Sequence, residues 1–180
     1  MPAQVLDFNA ELPVRIYWDA SFLVHATYPA ARYHPACHAF LRRLSAIDDC
    51  LSYVSTLALD ETIFALLQLK AAEDYPDRGF WDLHDDDPRF IAPYLGELRA
   101  LTKRLTADPR IQIVGQTPGS MLGALDRMED HGLLPRDALH LVAMQHHGIR
   151  AIVTTDQDFL AVENLTIYTC NPTILAAARP

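Results

Sequence analysis

The clearest structural signals in this sequence lie in residues 135–159, PRDALHLVAMQHHGIRAIVTTDQDF. The first part begins with Pro135 and ends before Gly148, the residue types preferred just inside the start and just past the end of a helix. The β-branched run that follows at residues 150–154 is typical of a strand. A helix that leads into a short strand in this way is the repeating unit of α/β folds with a parallel sheet.

The same alternation of short β-branched runs and longer amphipathic runs continues toward both ends of the chain. It predicts strands at residues 14–19, 51–55, 110–114, 150–154 and 165–169, and helices at residues 20–28, 34–47, 56–72, 90–106, 118–131 and 135–147. We therefore expect an α/β fold, a three-layer sandwich in which a central parallel sheet of about five strands has helices on both faces. In such sheets, ligands bind at the carboxyl ends of the strands.

The composition is that of a globular domain. Of the 180 residues, 50% are hydrophobic and 21% are charged, which excludes a disordered chain. The length predicts a single domain over residues 1–180. The sequence has no run of about 18 uncharged apolar residues, so we expect no membrane partner. The three cysteines are too widely spaced for a disulfide framework or a zinc pair, and the N-terminus lacks the basic segment of a signal peptide. These features predict a reduced, cytoplasmic protein.

The acidic charge of the chain is concentrated in one segment. Residues 73–87 hold seven acidic residues and one arginine, which account for most of the net charge of −8. A strongly acidic chain argues against a nucleic-acid partner, but outside this segment that argument is weak because the remaining charge is nearly balanced. The segment also contains Pro76 and Gly79, so we predict an acidic loop or helical insertion at about residues 73–110.

Four acidic residues follow predicted strands or begin predicted helices at one edge of the sheet. Asp19 ends the first strand, Glu61 lies about one turn into a helix, Asp137 lies in the first turn of another helix, and Asp156 follows the strand at 150–154. We expect these four side chains to converge at the edge where ligands bind. Converging carboxylates repel one another unless a cation neutralises them, and Mg²⁺ or Mn²⁺ takes oxygen ligands. The sequence therefore predicts a Mg²⁺ or Mn²⁺ site suited to metal-assisted phosphodiester hydrolysis.

In order and spacing, four segments resemble the PIN-domain nucleases and, within them, the VapC-type toxins. The segments are IYWDASFL at 16–23, STLALDE at 55–61, PRDALHLVA at 135–143 and IVTTDQDF at 152–159. The resemblance spans residues 14–172 and implies a PIN-like fold and a metal-dependent endoribonuclease that cleaves single-stranded RNA. It implies that Asp19, Glu61, Asp137 and Asp156 are both the catalytic and the metal-binding residues. It also implies a toxin of a toxin–antitoxin pair, with an antitoxin protein and a second copy of the chain as partners.

Two of the four positions have a competing neighbour. Asp60 precedes Glu61, and the spacing from Ser55 favours Glu61. Asp158 lies two residues after Asp156, which is closer to the strand end and therefore the first choice. We interpret Asp158 as an auxiliary acid.

Further residues are predicted to support the site. Ser21 stands where the family often has a polar residue after the first aspartate, and Thr155 could hydrogen-bond a ligand water. His140 shares a helical face with Asp137, and we interpret it as a buried, hydrogen-bonded histidine rather than a general base. Arg136 is a weak candidate for contacting RNA.

Two other functions are compatible with parts of the sequence. A non-catalytic PIN-fold module that binds protein would have no reason to assemble four acidic residues. A phosphatase of the haloacid dehalogenase kind also has an aspartate after its first strand, but it needs a second aspartate where this chain has Ser21.

Overall fold

A computed structural model describes residues 1–177 and shows a single parallel sheet. Its six strands are β1 (Gln4–Leu6), β2 (Arg15–Trp18), β3 (Leu51–Ser55), β4 (Ile111–Val114), β5 (Ala151–Val153) and β6 (Thr166–Tyr168). Their order across the sheet is β1-β6-β5-β2-β3-β4. From β2, the next two strands of the chain, β3 and β4, are added on one side. The chain then crosses over, so that β5 pairs with the other side of β2. The switch in strand order therefore lies between β2 and β5, where a ligand site is expected.

The sheet has one strand beyond the five that the sequence predicts. β1 has only three residues, too few to show a periodic pattern, and it pairs with β6 at the edge of the sheet through the register Gln4↔Thr166. The five predicted strands are confirmed as β2 to β6, with ends that differ by at most one residue.

Eight α-helices flank the sheet within residues 1–177. They are α1 (Ala20–Thr27), α2 (His34–Ser45), α3 (Thr56–Asp74), α4 (Phe80–Asp86), α5 (Leu95–Ala107), α6 (Pro118–His131), α7 (Pro135–His146) and α8 (Pro172–Ala177), with short 3-10 helices at Pro88–Tyr94 and Asp158–Ala161. No helix within the described residues is long and apolar enough to cross a membrane.

The insertion predicted at about residues 73–110 is mostly helical rather than a loop. It contains α4, and the helix expected from residue 90 begins only at Leu95, after the 3-10 helix Pro88–Tyr94. Pro93 lies within that 3-10 helix, and proline disfavours the α conformation in the residue before it. Asp87 begins the 3-10 helix by accepting a hydrogen bond from the backbone N–H of Arg89.

The sheet separates two hydrophobic cores, as the three-layer prediction requires. Side chains alternate along β2, so that Ile16 and Trp18 pack with α1, α2, α3 and α5, whereas Tyr17 points to the opposite face. That face is covered by α6 and α7, which contribute Ala124 and Leu141 among others. The alternation directs the Tyr17 hydroxyl toward α7 and, as described below, toward the candidate site.

Candidate active site

The candidate site lies at the carboxyl end of β2, where Asp19 is almost completely buried. One carboxylate oxygen, Oδ2, accepts hydrogen bonds from Ser21 Oγ at 2.6 Å and from Thr154 Oγ1 at 2.8 Å. The same oxygen caps α1 through the backbone N–H of Ser21 at 3.3 Å. Within the described residues Oδ1 has no donor at hydrogen-bonding distance. Asp19 is therefore fixed by one oxygen and leaves the other for a ligand.

The loop after β5 is tied to Asp19 through Ser21 and Thr154. The Thr155 backbone N–H donates to Ser21 Oγ at 3.0 Å, and the Asp156 N–H donates to Thr154 Oγ1 at 2.9 Å. The side chain that contacts Asp19 is thus that of Thr154, whereas Thr155 contributes its backbone amide. Thr154 is the first residue after β5, a position whose side chain faces the ligand edge of a parallel sheet.

Glu61 projects from α3 toward Asp19 and meets a buried histidine. His140 Nε2 lies 2.7 Å from Glu61 Oε2 and 3.8 Å from Asp19 Oδ1. The other oxygen, Glu61 Oε1, is 3.4 Å from Nε of Arg136, whose side chain is largely exposed. Each of Asp19, Glu61 and His140 offers one ligand atom, and these atoms all lie within 4.8 Å of one another.

Asp137 and Asp156 are coupled electrostatically to this group. The pKa of Asp137 is raised to about 6, mainly by burial and then by the negative charges of Asp156 and Asp19. The pKa of Asp156 is also raised, chiefly by burial, with contributions from Asp158 and Asp19. The carboxylates thus share one crowded, negatively charged region.

The competing neighbours lie outside this region or at its margin. Asp60 is exposed on α3, whereas Glu61 is half-buried and faces the site. Asp158 is exposed, and its backbone N–H donates to Asp156 Oδ1 at 3.1 Å. The geometry favours Glu61 and Asp156 over their neighbours.

The sequence does not predict a role for Tyr17 and Ser55, which are connected to His140 through its Nδ1. The Tyr17 hydroxyl lies 2.7 Å from His140 Nδ1 and 2.6 Å from Ser55 Oγ, and all three side chains are buried. Ser55 also caps α3 by accepting the Ala58 N–H at 2.9 Å. A tyrosine between two apolar residues of a strand gives no signal beyond core packing, so only the tertiary structure reveals these contacts.

The donors at this site fit a hard divalent cation. Carboxylate oxygens predominate, and the raised pKa of Asp137 reflects negative charge that a cation would offset. Asp19, Glu61 and His140 are the residues of the described chain whose ligand atoms are already close enough to share one ion.

The solved structures with a similar fold include the three described next, whereas comparison with curated proteins gives no significant sequence match. VapC20 of Mycobacterium tuberculosis, a sarcin–ricin loop cleaving toxin, is 18% identical, covers 82% of this chain and 95% of its own, and has a TM-score of 0.53. A toxin–antitoxin complex from Klebsiella pneumoniae is 13% identical, with coverage of 83% and 94% and a TM-score of 0.50. VapBC2 of Rickettsia felis, bound to a DNA fragment from its promoter, is 13% identical, with coverage of 86% and 98% and a TM-score of 0.52.

At these identities the three likenesses concern the fold alone. A family model described as the PIN domain matches residues 16–165, which is most of the chain. The matched range contains Asp19, Glu61, Asp137 and Asp156 as well as the buried residues behind them. The chain therefore belongs to the PIN domain family.

Proposed function

We propose that this chain is a metal-dependent endoribonuclease that hydrolyses phosphodiester bonds in single-stranded RNA. The observation that supports this most is the crowded carboxylate site at the switch in strand order, where Asp19 and Glu61 face each other and Asp137 has its pKa raised to about 6. A site of this charge binds cations and repels an RNA phosphate unless a cation is present. Membership of the PIN domain family supports a nuclease and leaves the haloacid dehalogenase alternative without support.

In this proposal Asp19, Glu61, Asp137 and Asp156 are the catalytic residues and hold Mg²⁺ or Mn²⁺. When bound, the ion supplies an activated water and stabilises negative charge on the phosphate. Ser21, Thr155, Asp158 and His140 are auxiliary residues around these carboxylates in this proposal.

Arg136 is proposed to contact an RNA phosphate next to the acidic group. Its guanidinium is largely exposed and lies 3.4 Å from Glu61 Oε1, so it offers positive charge at the entrance of an otherwise negative cleft.

We further propose that the chain is the toxin of a toxin–antitoxin pair. The support is its likeness to VapC20 and to toxin–antitoxin complexes of other bacteria. The antitoxin would place a basic side chain in the acidic cleft, and a second copy of the chain is the other expected protein partner. In this view residues 1–180 form one PIN domain with an insertion at about 73–110, and the protein acts in the cytoplasm.

The proposal is tested by cleavage of a mixed-sequence single-stranded RNA with Mn²⁺ or Mg²⁺, followed by EDTA. We expect the wild type to cleave only with metal, and Asp19→Asn and Asp137→Ala to lose about 100-fold or more of the activity, as expected when a charged group that acts in the transition state is removed. The matched control is Asp85→Asn, because the Asp85 side chain on α4 is 83% exposed and its ionic contact is with His84 at 3.9 Å.

Two outcomes would contradict the proposal in different ways. Cleavage that survives EDTA would remove the role of the metal. If neither metal binding nor cleavage is found with folded protein, the non-catalytic protein-binding module becomes the better hypothesis.

A further inference from the structure

We propose that His140 and Tyr17 are positioning residues that hold the Glu61 carboxylate from behind the site, through a buried chain of hydrogen bonds that ends at Ser55. The inference rests on the proposed function, because it takes Glu61 to be one of the carboxylates that bind the metal ion. It concerns residues that the four-carboxylate site does not include.

Four side chains from four elements are connected in series. Ser55 ends β3, Tyr17 lies in β2, His140 lies in α7 and Glu61 lies in α3. The successive contacts are 2.6 Å from Ser55 Oγ to the Tyr17 hydroxyl, 2.7 Å from that hydroxyl to His140 Nδ1, and 2.7 Å from His140 Nε2 to Glu61 Oε2. Ser55 and Tyr17 are fully buried and His140 is 1% exposed, so bulk water does not compete for these bonds.

The direction of the hydrogen bond to Glu61 follows from the chemistry of the groups. An ionised carboxylate only accepts, so the hydrogen in the 2.7 Å contact belongs to His140 Nε2. If the imidazole is neutral, Nδ1 is then an acceptor and accepts a hydrogen bond from the Tyr17 hydroxyl. If the imidazole is protonated, Nδ1–H donates to the Tyr17 oxygen and the phenol donates to Ser55.

The Tyr17–Ser55 pair therefore serves both states of His140. Two hydroxyl groups can reverse the direction of their hydrogen bond, and the phenol keeps its proton because burial and the nearby charges of Asp19 and Glu61 raise the pKa of Tyr17. In either state an N–H at Nε2 faces Glu61, which makes His140 a donor to the carboxylate.

This arrangement matches the way in which Asp19 is held. Asp19 Oδ2 is fixed by Ser21 and Thr154, and Glu61 Oε2 is fixed by His140. In both carboxylates one oxygen is held by buried or half-buried protein groups; the second oxygen of Asp19 has no donor at hydrogen-bonding distance within the described residues, and that of Glu61 lies 3.4 Å from Nε of the largely exposed Arg136. Hydrogen bonds to metal-binding carboxylates orient them, and removing such a partner costs about 10- to 100-fold in metal affinity or activity.

The first test measures the affinity for Mn²⁺ alone, from the electron paramagnetic resonance signal of free Mn²⁺. We expect Tyr17→Phe to weaken binding about tenfold, within the range typical for residues that orient metal ligands. The matched control is Tyr168→Phe on β6, which removes the hydroxyl of another buried tyrosine. That hydroxyl donates to the Glu11 carbonyl at 2.6 Å, and its loss should leave the affinity unchanged. Equal affinities in the two variants would overturn the proposal.

The second test separates donation to Glu61 from the mere filling of space. The amide nitrogen of glutamine can replace Nε2 as a donor, whereas asparagine is too short to reach Glu61. We expect His140→Gln to keep most of the Mn²⁺ affinity and His140→Asn to lose about 10- to 100-fold. The same loss in both variants contradicts a donor role. Nitrogen coupling to bound Mn²⁺ in pulsed resonance spectra of the wild type would make His140 a ligand instead, and would also overturn the proposal.

A third measurement does not depend on the proposed function. In metal-free protein with ¹⁵N-labelled histidine, long-range ¹H–¹⁵N spectra identify which ring nitrogen carries hydrogen, and the signal lost in His140→Gln identifies His140. We expect a slowly exchanging hydrogen on Nε2 and a change of the Nδ1 shift in Tyr17→Phe. A wild-type His140 with hydrogen on Nδ1 only would overturn the proposal, even if the protein cleaves RNA. If the wild type binds no Mn²⁺, the proposed function fails while this result still stands.

Discussion

The crowding of negative charge in the site shows clearly at Asp137, in the first turn of α7. Its pKa is raised to about 6, first by burial and then by the negative charges of Asp156 and Asp19. The charge of His140 lowers this pKa but offsets only part of the increase. The folded protein therefore holds this proton more tightly than the unfolded chain. Ionisation of Asp137 costs folding free energy as the pH rises from about 4 to about 6, and above that range the full cost remains.

We therefore predict that Asp137→Asn stabilises the metal-free protein at neutral pH. In EDTA, the free energy of unfolding of the variant should exceed that of the wild type by about 1–2 kcal/mol at pH 8, and the difference should shrink toward pH 4. Urea denaturation across this pH range measures it. On the proposal that Asp137 helps to hold the ion, saturating Mn²⁺ should reverse the order, because binding stabilises the wild type more than the variant.

The control for this prediction is Asp85→Asn, whose side chain is 83% exposed and for which we expect no such difference between pH 4 and pH 8. If the advantage of Asp137→Asn is the same at every pH, its cause is not the ionisation of Asp137.

At the scale of elements, the acidic segment is anchored by its apolar residues. The Leu83 side chain on α4 is 5% exposed, and Phe80 packs edge-on against Phe64 of α3 at a ring separation of 5.6 Å. The acidic residues of α4 remain exposed on the other side. The segment is thus a packed part of the fold rather than a free loop.

This packing predicts unequal effects of two truncations in α4. Leu83→Ala should lower the free energy of unfolding by about 2–3 kcal/mol, because it leaves a cavity between α4 and its neighbours. Trp81→Ala should cost less than about 1 kcal/mol, although it removes a larger side chain, because Trp81 is 60% exposed. Chemical denaturation of both variants gives the comparison, and equal losses would show that α4 does not pack as described.

The elements that sequence reasoning predicted best are those with strong local boundary signals. The bounds of α6 were predicted correctly, and its C-cap Gly132 adopts the left-handed φ of 68° that favours glycine. β1 could not be predicted, because three residues form a strand only by pairing with β6. The sequence predicts too early a start for α5, because the helical spacing of apolar residues continues through a 3-10 helix.

The same limit applies to the site. Asp19, Glu61, Asp137 and Asp156 were proposed because they follow strands or start helices, which are local features of the sequence. The Tyr17–His140 contact joins residues 123 positions apart, and no local sequence pattern predicts it.

At the scale of the whole molecule, the fold brings together two cysteines that are 133 positions apart. Cys37 lies in α2 and is fully buried, and Cys170 follows β6, with 3.6 Å between their sulfur atoms. Both are free thiols in this structure. The residue after Cys170 is Asn171, whose amide donates to the Thr155 carbonyl at 2.8 Å, so this pair adjoins the loop that carries Asp156.

We predict that a disulfide oxidant such as oxidised glutathione links Cys37 and Cys170, with two thiol hydrogens transferred to the oxidant. The link joins α2 to the end of β6 and should raise the midpoint of thermal unfolding, because closing a loop of this length removes up to about 5 kcal/mol of chain entropy from the unfolded state. Non-reducing peptide mass spectrometry identifies the bond. Cys50→Ser is the matched control, since Cys50 is buried without a sulfur partner among the described residues and its loss should leave the link intact. After the same oxidation, Cys170→Ser should unfold at a lower temperature than the wild type, because it cannot form the bond. Equal thermal midpoints in the two oxidised proteins would contradict the prediction.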